Sequence, residues 1–226
     1  MDYNCQTCKY RSFAISVLDD DQMCMLGNNC TEVNFKKGDI IFKQDAFSLN
    51  VAYLKKGLVK LHMKGIAGKE QIIKIAKAPT YLGIPTTIGD KINKYSATAI
   101  EDCSVCFIDL EVFKKLILAN PQFAYEIILN MCENELTHFR NCLHKTQKNA
   151  RGLVADTLLN FANNIYESAN FTLPLTRNEI ADLINSSREL VSRILSEFNN
   201  DGIIELNGKE VTITNLELLI KISENG

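Results

Sequence analysis

Long apolar runs are missing from this chain of 226 residues. None approaches the ~20 residues that a membrane-spanning helix needs, which excludes such a span. A surplus of positive charge is missing too: 25 Lys and Arg stand against 27 Asp and Glu, a net of −2. Indiscriminate binding of nucleic acid through phosphate neutralisation is therefore excluded. The opening Met1-Asp2-Tyr3-Asn4-Cys5 lacks the basic start and apolar block of a secretory signal, so a cytoplasmic location is expected. Histidine is scarce, and His62, His138 and His144 show no ligand spacing with the cysteines; each reads as a surface or interface imidazole. What is present is a 46% hydrophobic content, ample for a packed core, and eight cysteines. In a reducing compartment these are not a disulfide framework, which leaves metal ligation, redox sensing and plain burial open.

From about Val33 to Asp109 short strand-like segments alternate with turn signals. They are Val33-Asn34-Phe35, Ile40-Ile41-Phe42 after Lys37-Gly38-Asp39, Val51 to Leu54, Leu58 to Leu61 after Gly57, Gln71 to Ile75, and Ser96 to Ile108. Such spacing predicts a β barrel, roll or sandwich. Helical patterning starts near Leu110. Pro121 suits a first helical turn, and the run from Gln122 to about Gln147 contains neither Pro nor Gly, which predicts an unusually long helix. Along it Ile128, Met131, Glu135, His138 and Cys142 recur at the 3, 4 spacing of a coiled-coil seam, and a two-fold dimer is expected from them. Packing of this stripe on the chain's own β region is the alternative.

The stretch from Leu175 to Ile213 carries three signals. Thr176-Arg177-Asn178-Glu179 has the spacing of a capping box, so a helix should open there, burying Ile180, Leu183 and Ile184. After Asn185-Ser186-Ser187 a second helix is expected, with Val191, Ile194, Leu195 and Phe198 inward. Arg188, Glu189, Ser192, Arg193 and Ser196 supply its polar face. A Ser187 cap would leave Glu189 free, whereas a Ser186 cap would engage it. Asn207-Gly208-Lys209 between Ile203 to Leu206 and Glu210 to Ile213 predicts a hairpin turning on Asn-Gly. Together these describe a winged helix-turn-helix, whose second helix reads base edges in the major groove. Against this, Gln147 to Gly226 holds seven Lys and Arg but eleven Asp and Glu, a net of −4. Weak binding to random DNA and dependence on a few placed arginines follow.

Taken over nearly its whole length, the chain resembles the CRP/FNR family of bacterial transcription regulators. The resemblance rests on Phe35 to Phe42, Tyr53 to Val59, Leu82-Gly83, Leu175 to Ala181, and Ser187 to Leu195. It implies an α+β architecture: an N-terminal cyclic-nucleotide-binding-like β-roll for effector sensing with its Cys-containing segment (1–120), a long dimerisation helix (121–147), and a C-terminal winged helix-turn-helix for DNA (148–226). It further implies a non-enzymatic homodimer on a palindromic operator, with RNA polymerase as partner. Ser187, Arg188, Glu189, Ser192 and Arg193 would serve the base-reading helix, while Thr176 and Arg177 would hold phosphate. Asn185 stands where the family commonly has Gly, and Leu190 where Thr is common. Cyclic-AMP-responsive members hold ribose and phosphate with a Gly-Glu pair and an Arg-Ser. Here Ile84 follows Gly83 and Tyr95 precedes Ser96, so a cyclic-AMP response is not expected. The iron–sulfur branch implies ligands Cys5, Cys8 and Cys106 for a labile cluster. Its third position is Ala14 here, leaving Cys24, Cys30 or Cys103 as the fourth thiolate, with zinc, thiol redox sensing or no metal as alternatives. Cys103 and Cys106 should face opposite ways on one strand unless Cys103 lies in the Glu101-Asp102 turn. A thiol-redox or metal-handling protein built on Cys5-x-x-Cys8 is the alternative function, although no strand precedes Cys5 as that motif requires.

Overall fold

The computed structural model describes Cys5, residues 8–65 and residues 68–226. The chain divides into two compact units. One holds the residues up to 136 apart from 69–72; the other holds 137–226 together with 69–72.

The first unit begins with two short helices, α1 (Phe13–Ser16) and α2 (Asp20–Asn28). Asp19 and Gln22 form a reciprocal capping box at the start of α2. Eight strands follow: β1 (Cys30–Phe35), β2 (Ile40–Phe42), β3 (Asn50–Lys56), β4 (Leu58–Lys64), β5 (Glu70–Lys77), β6 (Thr80–Leu82), β7 (Ser96–Ala99) and β8 (Cys103–Asp109), with α3 (Ile84–Ile88) between β6 and β7. They form two four-stranded sheets, ordered β1-β8-β3-β6 and β2-β7-β4-β5. The expected strand from Ser96 to Ile108 is two strands, one in each sheet. The chain turns at Ile100 to Asp102, where Asp102 accepts from Lys36 Nζ at 2.7 Å and Lys37 N at 3.1 Å. Glu101-Asp102 marks a turn within this run, but side-chain periodicity alone does not say that the chain changes sheets there.

The sheets pack over Leu54, Val59, Leu82, Ala97, Ala99, Cys103 and Val105. The other face of the β1-β8-β3-β6 sheet meets α1, α2, α4 (Leu110–Ala119) and the start of α5 (Pro121–Gln147), burying Val51, Tyr53, Tyr81, Ile108, Phe113 and Phe123. Burial on both faces explains why Val51 to Leu54 is an unbroken apolar run. Gly57, with φ of 94°, links β3 to β4 where a Cβ would lie 2.6 Å from the Asp102 carbonyl, so only glycine fits.

The second unit holds the end of α5, then α6 (Ala150–Asn160), a π-helical turn at Phe161–Ile165, β9 (Asn170–Thr172), α7 (Arg177–Ile184), α8 (Arg188–Asn200), β10 (Ile204–Asn207), β11 (Glu210–Ile213) and α9 (Leu216–Asn225). The strands form one sheet in the order β10-β11-β9. The hairpin differs from expectation in one detail. Asn207 pairs with Glu210, so the turn residues are Gly208 and Lys209, and only Gly208 has positive φ. Glycine first in a two-residue loop is the type II′ pattern, which matches strand twist as well as an Asn-Gly turn does. Asp156 on α6 gathers His144 Nδ1 (2.8 Å), Lys148 Nζ (2.9 Å) and Ser223 Oγ (2.5 Å), and so ties the last turn of α5 to α6 and α9.

Candidate nucleic-acid interface and cysteine site

The Thr176 capping box forms as its spacing predicts: Glu179 accepts from Thr176 N at 2.8 Å, and Thr176 Oγ1 accepts from Glu179 N at 3.2 Å. α7 ends at Asn185 in the left-handed conformation, φ 54° and ψ 53°, with its N–H bonded to Ala181 O. Asparagine tolerates this geometry, which is how it stands in for glycine. Ser187 caps α8 by accepting from Leu190 N at 3.2 Å. The cap ambiguity is thereby resolved, and Glu189 is left exposed in the first turn of α8. Val191, Ile194, Leu195 and Phe198 are buried on the opposite side. Each such burial contributes about 1.5–3 kcal/mol, which holds the helix in place while its other face stays free. That face presents Arg188 and Arg193 to solvent, with Ser192 half-buried behind them. Arg193 is held only loosely, at 3.8 Å from Glu197.

Beside this face lies a cleft of about 350 Å³, lined by Thr176, Arg177, Asn178, Arg188 and Lys209. Arg177 donates to Gly208 O at 3.4 Å, so the wing turn and the start of α7 share one wall. Three cations converge at a helix N-terminus in a unit that is otherwise acidic. Lys209 was not singled out from sequence, because only the fold of the hairpin brings it to this cleft. Arg151, by contrast, is paired: it contacts Glu197 at 2.7 Å and Asp201 at 3.2 Å and lies over the Phe198 ring.

All five expected seam positions on α5 are exposed on the single chain: Ile128, Met131, Glu135, His138 and Cys142. His138 and Cys142 contact each other at 3.6 Å. Immediately beside them runs a more apolar stripe, Leu129, Cys132, Leu136, Phe139 and Leu143, also spaced 3, 4, 3, 4 and exposed. Leu136 is 63% exposed and Phe139 is 58% exposed. Isolated apolar residues on a surface are ordinary, but a continuous row of this kind is not.

In the roll, Gly83 opens α3 in the left-handed region at φ 76°. Its N–H donates to the Tyr95 hydroxyl, and the Tyr95 ring packs on Phe42. Ile84 is buried in the core. The backbone donor at this helix start is thus already engaged by a phenol.

The N-terminal segment lies against the β1-β8-β3-β6 sheet. Tyr53 Oη donates to Tyr10 O at 2.7 Å, Ser12 Oγ meets Tyr81 Oη at 2.8 Å, and Asn120 Nδ2 donates to Val17 O at 3.2 Å. These contacts bring Cys5 and Cys8 to a cavity of about 30 Å³ that Cys30 and Cys106 also line. Hydrogen-bond contacts with Cys106 and Cys5, together with burial, push the Cys30 thiol well above the usual range. The Cys5 thiol is lowered to about 7, first by that hydrogen bond and also by Lys55, against burial and Glu32. Cys106 is lowered for the same first reason. Lys55 pairs with Glu32 at 2.6 Å, and Ser104 donates to the other Glu32 oxygen. Among the described residues no group of three His, Cys, Asp or Glu is already arranged as a metal's ligands; the thiols touch each other instead. Cys24 is exposed on α2. Cys103 is buried in the core on the opposite side of β8 from Cys106, as strand alternation requires.

A double-sheet roll followed by a winged helix-turn-helix defines a DNA-binding transcription regulator. Residues 154–222 match the Crp-like helix-turn-helix domain and residues 32–120 match the cyclic nucleotide-binding domain, and the chain belongs to the CRP/FNR family of regulators. It is 29% identical to the transcriptional activator protein FnrA of Stutzerimonas stutzeri over 183 residues, covering 79% of this chain and 74% of that protein. It is 25% identical to the fumarate and nitrate reduction regulatory protein of Vibrio cholerae over 227 residues, covering 97% and 90%. The solved structure of FixK2 from Bradyrhizobium japonicum superposes with a TM-score of 0.76 at 25% identity, covering 85% of this chain and 96% of that one. These relatives are regulators rather than enzymes, so the reading built on Cys5-x-x-Cys8 alone gives way to transcriptional control. No helix among the described residues is long and apolar enough to cross a membrane.

Proposed function

We propose that the chain acts as a cytoplasmic homodimer that binds a palindromic operator and addresses RNA polymerase there. The observation that carries this reading is the exposed face of α8, freed by the Ser187 cap and flanked by a three-cation cleft. Arg188, Glu189, Ser192 and Arg193 read base edges, since Arg donates two bonds to guanine and a carboxylate accepts from cytosine N4. Thr176, Arg177 and Lys209 hold a backbone phosphate in the cleft, where the helix N-terminus adds favourable dipole. Work divides as 1–120 for sensing, 121–147 for dimerisation and 148–226 for DNA. Two copies pair along α5 through the adjoining rows from Ile128 to Cys142 and from Leu129 to Leu143, which places two α8 helices to meet half-sites about one helical turn apart. Selection from a random DNA pool tests this. The expected product is a two-fold motif, and recovery of unrelated sequences by oxidised, reduced and metal-loaded protein alike would overturn the reading.

Sensing in this proposal does not use cyclic AMP. With Ile84 buried and the Gly83 N–H committed to Tyr95, a cyclic phosphate would be desolvated without a counter-charge. Calorimetry is expected to show no heat of binding at millimolar cyclic AMP; a micromolar dissociation constant with enhanced operator binding would refute this. The redox-sensing role falls instead to Cys5, Cys8 and Cys106, in keeping with relatives named for fumarate and nitrate reduction.

A further inference from the structure

We propose that His138 and Cys142 of α5, joined by the same pair from a second copy of the chain, form a tetrahedral zinc site across the dimer seam. The proposal rests on the pairing of two copies along α5 put forward above and supplies that pairing with a ligand.

His138 and Cys142 are four residues apart on α5, which stacks them one turn above the other on a single helix face. Contrary to the expectation from sequence, one histidine therefore does have ligand spacing with a cysteine. Both side chains are exposed on the single chain, and His138 Nε2 lies 3.6 Å from Cys142 Sγ. In a tetrahedral zinc site, bonds of about 2.3 Å to sulfur and about 2.0–2.1 Å to nitrogen make the edge between those two ligands about 3.6 Å. The pair already stands at the separation that a shared ion requires.

A hydrogen bond at the surface accounts for that distance equally well, but it does not account for the place. In an isologous contact each residue meets its own copy, and His138 and Cys142 are successive positions of the 3, 4 row. Pairing in register then brings two imidazoles into one layer and two thiols into the next, flanked by Leu136, Phe139 and Leu143. Left alone, these four polar groups are an uncompensated gap in an apolar contact. A zinc ion on the two-fold axis satisfies all four, with the two thiols releasing their protons to solvent and the imidazoles binding through neutral nitrogen. Two thiolates cancel the charge of the ion, so the filled site suits its apolar flanks, and the sulfur and nitrogen donors select zinc over magnesium or calcium. The other residues of these types on α5 do not repeat the arrangement. His144 is bonded to Asp156 through Nδ1, and Cys132 has Ile128 and Leu136 four residues to either side.

Full-length protein carrying Cys5→Ser and Cys8→Ser, to remove competing N-terminal thiols, is freed of metal and titrated with Zn²⁺ against a chromophoric chelator and with Co²⁺ for its absorption spectrum. Sedimentation equilibrium follows with and without Zn²⁺. The expected result is one tightly held ion per two chains, a tetrahedral Co²⁺ spectrum with a thiolate charge-transfer band, and a dimer dissociation constant lowered about tenfold or more by Zn²⁺. His138→Ala and Cys142→Ser should each weaken zinc binding by about tenfold or more and abolish its effect on dimerisation, while Cys132→Ser matches its parent. Both substituted side chains are exposed, and circular dichroism checks that the helices remain. Tight zinc binding by a folded Cys142→Ser, one ion per single chain, or a dimer constant indifferent to Zn²⁺ would overturn the proposal. The run without metal reads the pairing by itself: a stable dimer that takes up no zinc overturns the site and leaves the operator reading intact, whereas a chain that stays monomeric with and without Zn²⁺ overturns both.

Discussion

Leu136→Glu is expected to turn the protein into a monomer at about 10 μM, and Met131→Glu to weaken the dimer in the same direction. In a two-fold pairing each substitution appears twice. Two carboxylates would then face each other in a seam flanked by Leu129, Phe139 and Leu143, all exposed on the single chain. Burying unpaired charge costs several kcal/mol per group, well beyond what a row of leucines in contact supplies per residue. Operator affinity should fall with dimerisation, because linking two half-site contacts raises binding by ~10²–10⁴ through effective concentration alone. Sedimentation equilibrium gives the first readout and a gel-shift titration the second. Both side chains point outward on one chain, so the monomer should keep its helix content. A dimer that persists in Leu136→Glu would place the interface elsewhere.

Arg193→Ala and Glu189→Ala should each relax base preference at one position in both half-sites, by ~1–3 kcal/mol per affected pair. Arg177→Ala and Lys209→Ala should behave differently. They remove phosphate contacts, so affinity should drop for every sequence while the slope of log K against log salt becomes shallower by about one per lost contact. Competition among operator variants, measured at several salt concentrations, separates the two patterns. If Arg193→Ala lowered affinity uniformly, the α8 face would not be the surface that reads sequence.

The winged unit was legible because its signals are local. The Thr176 box, the Asn185 turn and the Ser187 cap are each settled within four residues, and the structure forms all three. The type II′ placement of the hairpin loop was missed by one residue, since Asn-Gly-Lys admits either register until the strands pair. That Cys30 lies beside Cys106 was not legible, for a different reason. Its proximity to Cys106 follows from β1 lying antiparallel to β8, a pairing between segments far apart in sequence that no spacing rule encodes. On α5 the two neighbouring stripes differ by one residue, and a helix 27 residues long drifts enough relative to a strict heptad that both stay within reach of a partner. Sequence alone could not choose between them.

Arg151 is engaged by Glu197 and Asp201. A unit with a net of −4 over Gln147 to Gly226 then meets random DNA with few free cations beyond those of the cleft. A genome offers on the order of a million or more competing sites, and for most DNA-binding proteins that excess acts as a sink. Here it would hold few copies. On the proposed reading the free pool would be a large share of the total, operators would be found by repeated collision rather than by long slides, and a small change in the number of molecules would reach the promoter almost undamped.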